Sequence, residues 1–209
     1  MRIAVFGSTG GTGIALLQQA IQRGHQVIAF ARDQQKIPSL GPGLSVIQGD
    51  VLDPHAVKLA VDGADAVISA LGVKLGQVPG TVRSDGTRNI VNALLAVGVK
   101  RFISVSTIGI GDSRDRLSFV ARFLLPRIIG AERIKEAERQ EDIIRQSNLK
   151  WTILRPARLV ESPTTGGYKI GIGLNTGFSS IIARADLATA LLDQLGSDEF
   201  IERCPSVIN

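Results

Sequence analysis

The sequence predicts an α/β fold, a doubly wound and mainly parallel sheet with helices on both faces. Three observations predict it. Short apolar runs alternate with amphipathic stretches along the chain, starting with Ile3-Ala4-Val5-Phe6. A glycine-rich turn, Gly7-Ser8-Thr9-Gly10-Gly11-Thr12-Gly13, joins the first apolar run to the first amphipathic stretch. The 209 residues, 44% hydrophobic, can bury one substantial core and would cramp a second, so residues 1–209 read as a single domain.

The elements follow in order. Arg2–Phe6 is the first strand. Thr12–Arg23 is a helix with Ile14, Leu17 and Ile21 on one face, and Gly24 is placed to end it. Gln26–Ala31 and Leu44–Gln48 are the second and third strands. A short helix starts after Asp53, a capping residue, with Pro54 at its first position. Asp65–Ala70 is the fourth strand, and Gly80–Val97 holds a helix whose Ile90, Val91, Leu94 and Leu95 recur at helical spacing. Arg101–Val105 is the fifth strand, a long helical region follows, and Lys150–Leu154 is the sixth. Leu187–Leu195 is a last helix, with Asp186 as its expected N-cap.

A buried strand, a glycine turn and a helix form the Rossmann-like arrangement that sets helix amides against a dinucleotide pyrophosphate. The spacing G-x-x-G-x-x-G points to the short-chain dehydrogenase/reductase version of that fold. Gly7 makes the tight exit from the strand, Gly10 and Gly11 let backbone approach phosphate, and Gly13 lets the helix sit close to the sheet. Thr9 and Thr12 belong to the same candidate cofactor set. An NAD site usually carries Asp or Glu at the end of the second strand, about twenty residues past the glycines. Here the strand ends on Arg32, with Lys36 close behind. A guanidinium can clamp a phosphate by two parallel hydrogen bonds, so NADP(H) is the expected cofactor. Asp33 as a ribose acceptor is the alternative. Asp50 and Val51 border the expected adenine site, although Asp50 could equally be a turn residue. Ala70, Leu71 and Gly72 at the fourth strand's end, and Arg83 on the next helix, complete the set.

Composition excludes several classes. Cys204 is the one cysteine, so no intrachain disulfide can form, and a cytoplasmic location is expected. The four apolar residues after Met1-Arg2 are too few for a secretory signal, and no apolar run approaches transmembrane length. The net charge of +5 is spread along a chain with 4% aromatic residues, so no nucleic-acid partner is expected. One cysteine and two distant histidines cannot make a zinc site, and His25 and His55 read as surface residues.

The segments GSTGGTG, FARD and GDVLDP, the helix Ser84-Asp85-Gly86-Thr87-Arg88-Asn89-Ile90-Val91 and the turn Ser162–Tyr168 resemble the NADPH-dependent flavin reductase/biliverdin-IXβ reductase family. The likeness covers nearly the whole chain and is weakest across residues 110–135. It implies a single Rossmann domain, NADPH, and reduction of a planar flavin or linear tetrapyrrole. By the same resemblance Thr107 falls at the family's active-site serine, with Ser106 one residue earlier, and Arg158 replaces its histidine. Thr107 and Ser106 are therefore the candidate catalytic residues, with Ser106 also able to hold the nicotinamide. In a regular strand only one of the two would face the pocket. Arg158 and Tyr168 are the candidate substrate-binding residues, Arg158 as an anchor for carboxylate or phosphate. The Tyr-x-x-x-Lys dyad of ordinary short-chain dehydrogenases is missing, because Ile172 lies four residues after Tyr168, the chain's one tyrosine. That loss favours a conjugated acceptor whose proton comes from water. The wider group includes non-catalytic dinucleotide sensors of the nitrogen-metabolite-repression type, and a quinone reductase is a further alternative. Leu117, Val120, Leu124 and Ile128 share a helical face in the stretch 112–129. Packing over the sheet edge is its expected use, with a substrate lid or a partner-binding surface at 117–129 as alternatives.

Overall fold

The structure, a computed structural model, describes the chain apart from residues 74, 75, 118–121, 123, 125, 126 and 178. Six strands fall where the apolar runs put them: β1 (Arg2–Phe6), β2 (Gln26–Ala31), β3 (Leu44–Gln48), β4 (Ala66–Ser69), β5 (Arg101–Val105) and β6 (Lys150–Pro156). Four short ones follow: β7 (Arg158–Val160), β8 (Lys169–Gly171), β9 (Ile181–Ala183) and β10 (Ser206–Ile208). Eight strands form one sheet in the order β3-β2-β1-β4-β5-β6-β10-β8, and β7 pairs with β9 in a separate ribbon. All neighbours run parallel except β10 and β8. This is the Rossmann order, in which the chain reverses its direction of winding beside β1 and opens a crevice there.

The helices α1 (Gly11–Gln22), α2 (Pro54–Val61), α3 (Val82–Val97), α4 (Ala131–Arg145) and α5 (Arg184–Asp193) cover both faces. Strand β1 shows how one strand serves two layers. Its Ile3 and Val5 join Leu16 and Leu17 of α1 and Leu187 and Leu191 of α5. Ala4 and Phe6 point the other way, to Val57 of α2 and Ile90 and Leu94 of α3. These side chains are fully buried, and each such Leu or Ile contributes about 1.5–3 kcal/mol. The expected helix signals act locally: Gly24 ends α1 in a left-handed conformation (φ 78°), and the Asp53 carboxylate accepts from the His55 amide ahead of α2.

Two expectations are corrected here. The last helix starts at Arg184 on the backbone of Ala183, so Asp186 is inside its first turn and does not cap it. Its buried carboxylate instead accepts from the Thr164 hydroxyl, the Thr165 amide and hydroxyl, and the Asn209 side chain. Core packing of the Leu117 face holds for one residue: Leu117 is buried with Ile108 and Ala157, whereas Leu124 and Ile128 are exposed. Val120 lies outside the described residues. Among the described residues, no helix is long and apolar enough to cross a membrane, and no group of His, Cys, Asp and Glu could hold a metal ion.

Candidate active site

The C-terminal ends of β1, β2, β4, β5 and β6 open into a cleft of about 1140 Å³. Its centre is the glycine turn. Gly7 has φ 76°, and a Cβ there would sit 2.4 Å from the Ala70 carbonyl oxygen. A Cβ on Gly13 would sit 2.2 Å from the Gly7 carbonyl oxygen. Neither position admits a side chain, so the turn brings α1 hard against the end of β1. Gly10 is the N-cap of α1 and supplies no side chain to its first amides, which a helix of this length leaves without internal acceptors. Gly10, Gly11, Thr9 and Thr12 border the cleft at that point.

At one end of the cleft lie Arg32, Lys36, Asp50 and Val51. Arg32 is exposed and makes no ion pair among the described residues. Lys36 pairs with Asp33 at 3.2 Å. Asp33 also accepts from the Gln35 amide at 3.1 Å and lies outside the cleft lining. Asp50 does two things at once: it borders the cleft and accepts from the Leu52 amide at 3.0 Å as a turn residue. Val51 packs against Gly86, and its carbonyl accepts from Asn89 at 2.9 Å.

The other end is floored by Ala70, Leu71, Gly72, Ser106 and Thr107, with Arg83 beside them. Ser106 and Thr107 both border the cleft, just past the end of β5 at Val105. The Ser106 hydroxyl is buried and, among the described residues, has no hydrogen-bond partner. Arg83 donates from Nη2 to the Val105 carbonyl at 3.2 Å, while its buried Nε has no partner among the described residues. Burial lowers its guanidinium to about 10, an effect the Glu141 and Glu136 carboxylates oppose. Arg158 is exposed on the cleft wall.

Tyr168 is corrected. It lies outside the cleft lining, and its hydroxyl donates to Asp193 at the end of α5, 2.6 Å away. Burial and the Asp193 carboxylate push the phenol up from its ordinary value, the opposite of what a proton donor near neutral pH needs. Among the described residues, no Tyr, His or Cys lines the cleft.

Four charged residues of the cleft escape sequence reasoning: Arg133, Glu136, Glu161 and Arg184. Arg133 donates to the Val73 and Gln77 carbonyls at 2.7 and 2.6 Å and so braces the wall formed after β4. Glu136, buried, accepts from the Ser84 amide and hydroxyl and from Arg139 at 2.8 Å. Arg133 and Glu136 share one face of α4 at a spacing of three residues, which was the available signal.

A family of proteins described as NAD(P)H-binding matches residues 7–198. The chain belongs to this NAD(P)H-binding family. Solved short-chain dehydrogenases/reductases share its fold. A short-chain dehydrogenase/reductase of Veillonella parvula, solved in complex with NADP, superposes with a TM-score of 0.85 over 99% of this chain and 93% of that one, at 20% identity. ChuY of Escherichia coli, described as an anaerobillin reductase, superposes with a TM-score of 0.82 over 100% of this chain and 97% of its own, at 23% identity. In sequence, an uncharacterized chloroplastic protein of Arabidopsis thaliana is 30% identical over 173 residues, 79% of this chain. The chain spans 61% of the length of that relative.

Proposed function

We propose that this NAD(P)H-binding protein is an NADPH-dependent reductase of a planar conjugated acceptor, a flavin or a linear tetrapyrrole. One observation carries the reading. Among the described residues, the cleft has a cation without an ion pair, Arg32, at one end, and at the other a hydroxyl floor with no Tyr, His or Cys. The residues present fit the dinucleotide. The side-chain-free turn and open amides of α1 suit a pyrophosphate, Arg32 suits a 2′-phosphate, and the partnerless Ser106 hydroxyl suits a carboxamide. When bound, NADPH supplies the hydride.

The chain's own work is then positional. Ser106 orients the nicotinamide end, Thr107 presents a hydroxyl to the acceptor, and Arg158 holds an anionic substituent at the cleft wall. Water supplies the proton, since a delocalised acceptor does not need a matched acid at one oxygen. ChuY, an anaerobillin reductase on the same fold, supports including tetrapyrroles among the acceptors tried.

Steady-state oxidation of NADPH with FMN, FAD, riboflavin, biliverdin isomers and a quinone tests this. Turnover with a flavin or a bilin is the expected result. Turnover with the quinone alone would overturn the substrate class. Tight NADPH binding without turnover on any acceptor would make the protein a dinucleotide sensor.

A further inference from the structure

Glu161 and Arg184 follow directly on β7 and β9, whose parallel register sets Arg158 beside Ile181, Leu159 beside Ile182 and Val160 beside Ala183. The same register carries the next two residues side by side, and Arg184 Nε donates to Glu161 Oε1. This pair lies over the start of α1. A Cβ on Gly11 would come within 2.7 Å of Arg184 Cδ and 3.1 Å of Glu161 Oε1. A carboxylate thus rests over the first residue of α1, the end of the helix that attracts an anion, with a guanidinium next to it. The Glu161 side chain is 78% exposed and that of Arg184 30%, so the pair adds little to the fold.

We propose that the Glu161–Arg184 pair is an exchangeable latch on the pyrophosphate site: Arg184 gives up Glu161 for a pyrophosphate oxygen when the dinucleotide enters, and Glu161 is displaced. The proposal rests on the glycine turn being the pyrophosphate site. Glu161 competes with the ligand for the guanidinium, and its charge at the start of α1 repels an incoming anion. Its charge keeps Arg184 aimed across the turn until a stronger anion arrives. Arg184 acts on a group common to both nicotinamide dinucleotides, so its effect is blind to the 2′-phosphate that Arg32 faces.

Calorimetric titration with NADP+, NAD+ and 2′-AMP separates these roles, since 2′-AMP has the 2′-phosphate and no pyrophosphate. Arg184→Gln is expected to weaken NADP+ and NAD+ alike, by roughly tenfold or more, and to leave 2′-AMP unchanged. Glu161→Gln is expected to tighten both dinucleotides severalfold. Unchanged dinucleotide affinity in Arg184→Gln, or weaker binding in Glu161→Gln, would overturn the latch. Loss of 2′-AMP binding in Arg184→Gln would also overturn it, because the residue would then be acting through the fold. A wild-type protein that binds 2′-AMP but neither dinucleotide would remove the pyrophosphate site itself, and the latch with it.

Discussion

Arg155 and Arg158 are three residues apart at the end of β6 and the start of β7, yet they sit in opposite surroundings. Arg155 is fully buried. Its Nε and Nη2 donate to the two carboxylate oxygens of Glu141 on α4, at 2.9 and 2.7 Å, and its Nη1 donates to Asp112 at 2.6 Å. Burial works against the charge, but these carboxylates outweigh it and hold the guanidinium above its ordinary value. Arg158 is exposed on the cleft wall and makes no ion pair among the described residues. The difference teaches how one residue type divides between fold and ligand. Taking a guanidinium out of water costs several kcal/mol unless protein carboxylates answer it, and answering it consumes its donors. Left in water at a cleft edge, the same group keeps its fork for a carboxylate or phosphate. Cys204 belongs to the sealed side: burial, with Glu141 close by, pushes its thiol up to about 11 and leaves it unreactive.

Breaking the sealed side has the largest expected effect. Glu141→Ala leaves the buried Arg155 with Asp112 alone and should cost about 3–5 kcal/mol, because the buried partner that accepts two of its three hydrogen bonds is removed. For a chain of this size that is a fall in Tm of roughly 6–20 °C in a thermal melt. An unchanged melting temperature would mean that the pair is not the anchor described.

Breaking the open side should leave stability alone and change kinetics. Arg158→Ala is expected to raise KM for FMN roughly ten- to a hundredfold, from the loss of a charge-assisted contact of about 1.5–3 kcal/mol, with kcat little altered. Riboflavin, which lacks the phosphate, should be unaffected. Equal impairment on both flavins would rule out the anchor.

Asp186 sharpens the comparison from between the extremes, a buried carboxylate answered by neutral donors. Burial opposes its charge, and the hydrogen bonds from Thr164, Thr165 and Asn209 overcome that, holding the carboxyl below the usual range. A carboxyl depressed in the folded state stabilises fully above its unfolded value, near ~3.9, and loses that contribution as pH falls toward the folded value. Asp186→Asn should therefore cost about 1 kcal/mol at neutral pH, with the gap to wild type narrowing as pH falls below about 5. Denaturant titrations across that range would detect it, and a gap that widened in acid would refute it.

What was legible in the sequence was local. The strands β1 to β6 and helices α1 to α3 announce themselves because several residues of one periodicity lie in a row. The glycine turn and Arg32 do so because a strand-to-helix junction and a strand end are readable positions. Strands β7 to β10, at three residues each, are too short for alternation to register. Glu161 and Arg184 are brought together only by the register of two such strands. Tyr168, expected at the substrate and part of the Ser162–Tyr168 turn that carries the resemblance, sits just before β8, and its hydroxyl goes to Asp193 on the far end of α5.

The central claim is that Arg32, at the end of β2 and without an ion pair among the described residues, selects the phosphorylated cofactor. Titrating NADPH and NADH into wild type and Arg32→Ala tests it most directly. The account predicts that NADPH affinity falls roughly ten- to a hundredfold while NADH affinity barely moves, because only NADPH carries the 2′-phosphate that loses its partner. Equal losses for both cofactors, or none for NADPH, would contradict it.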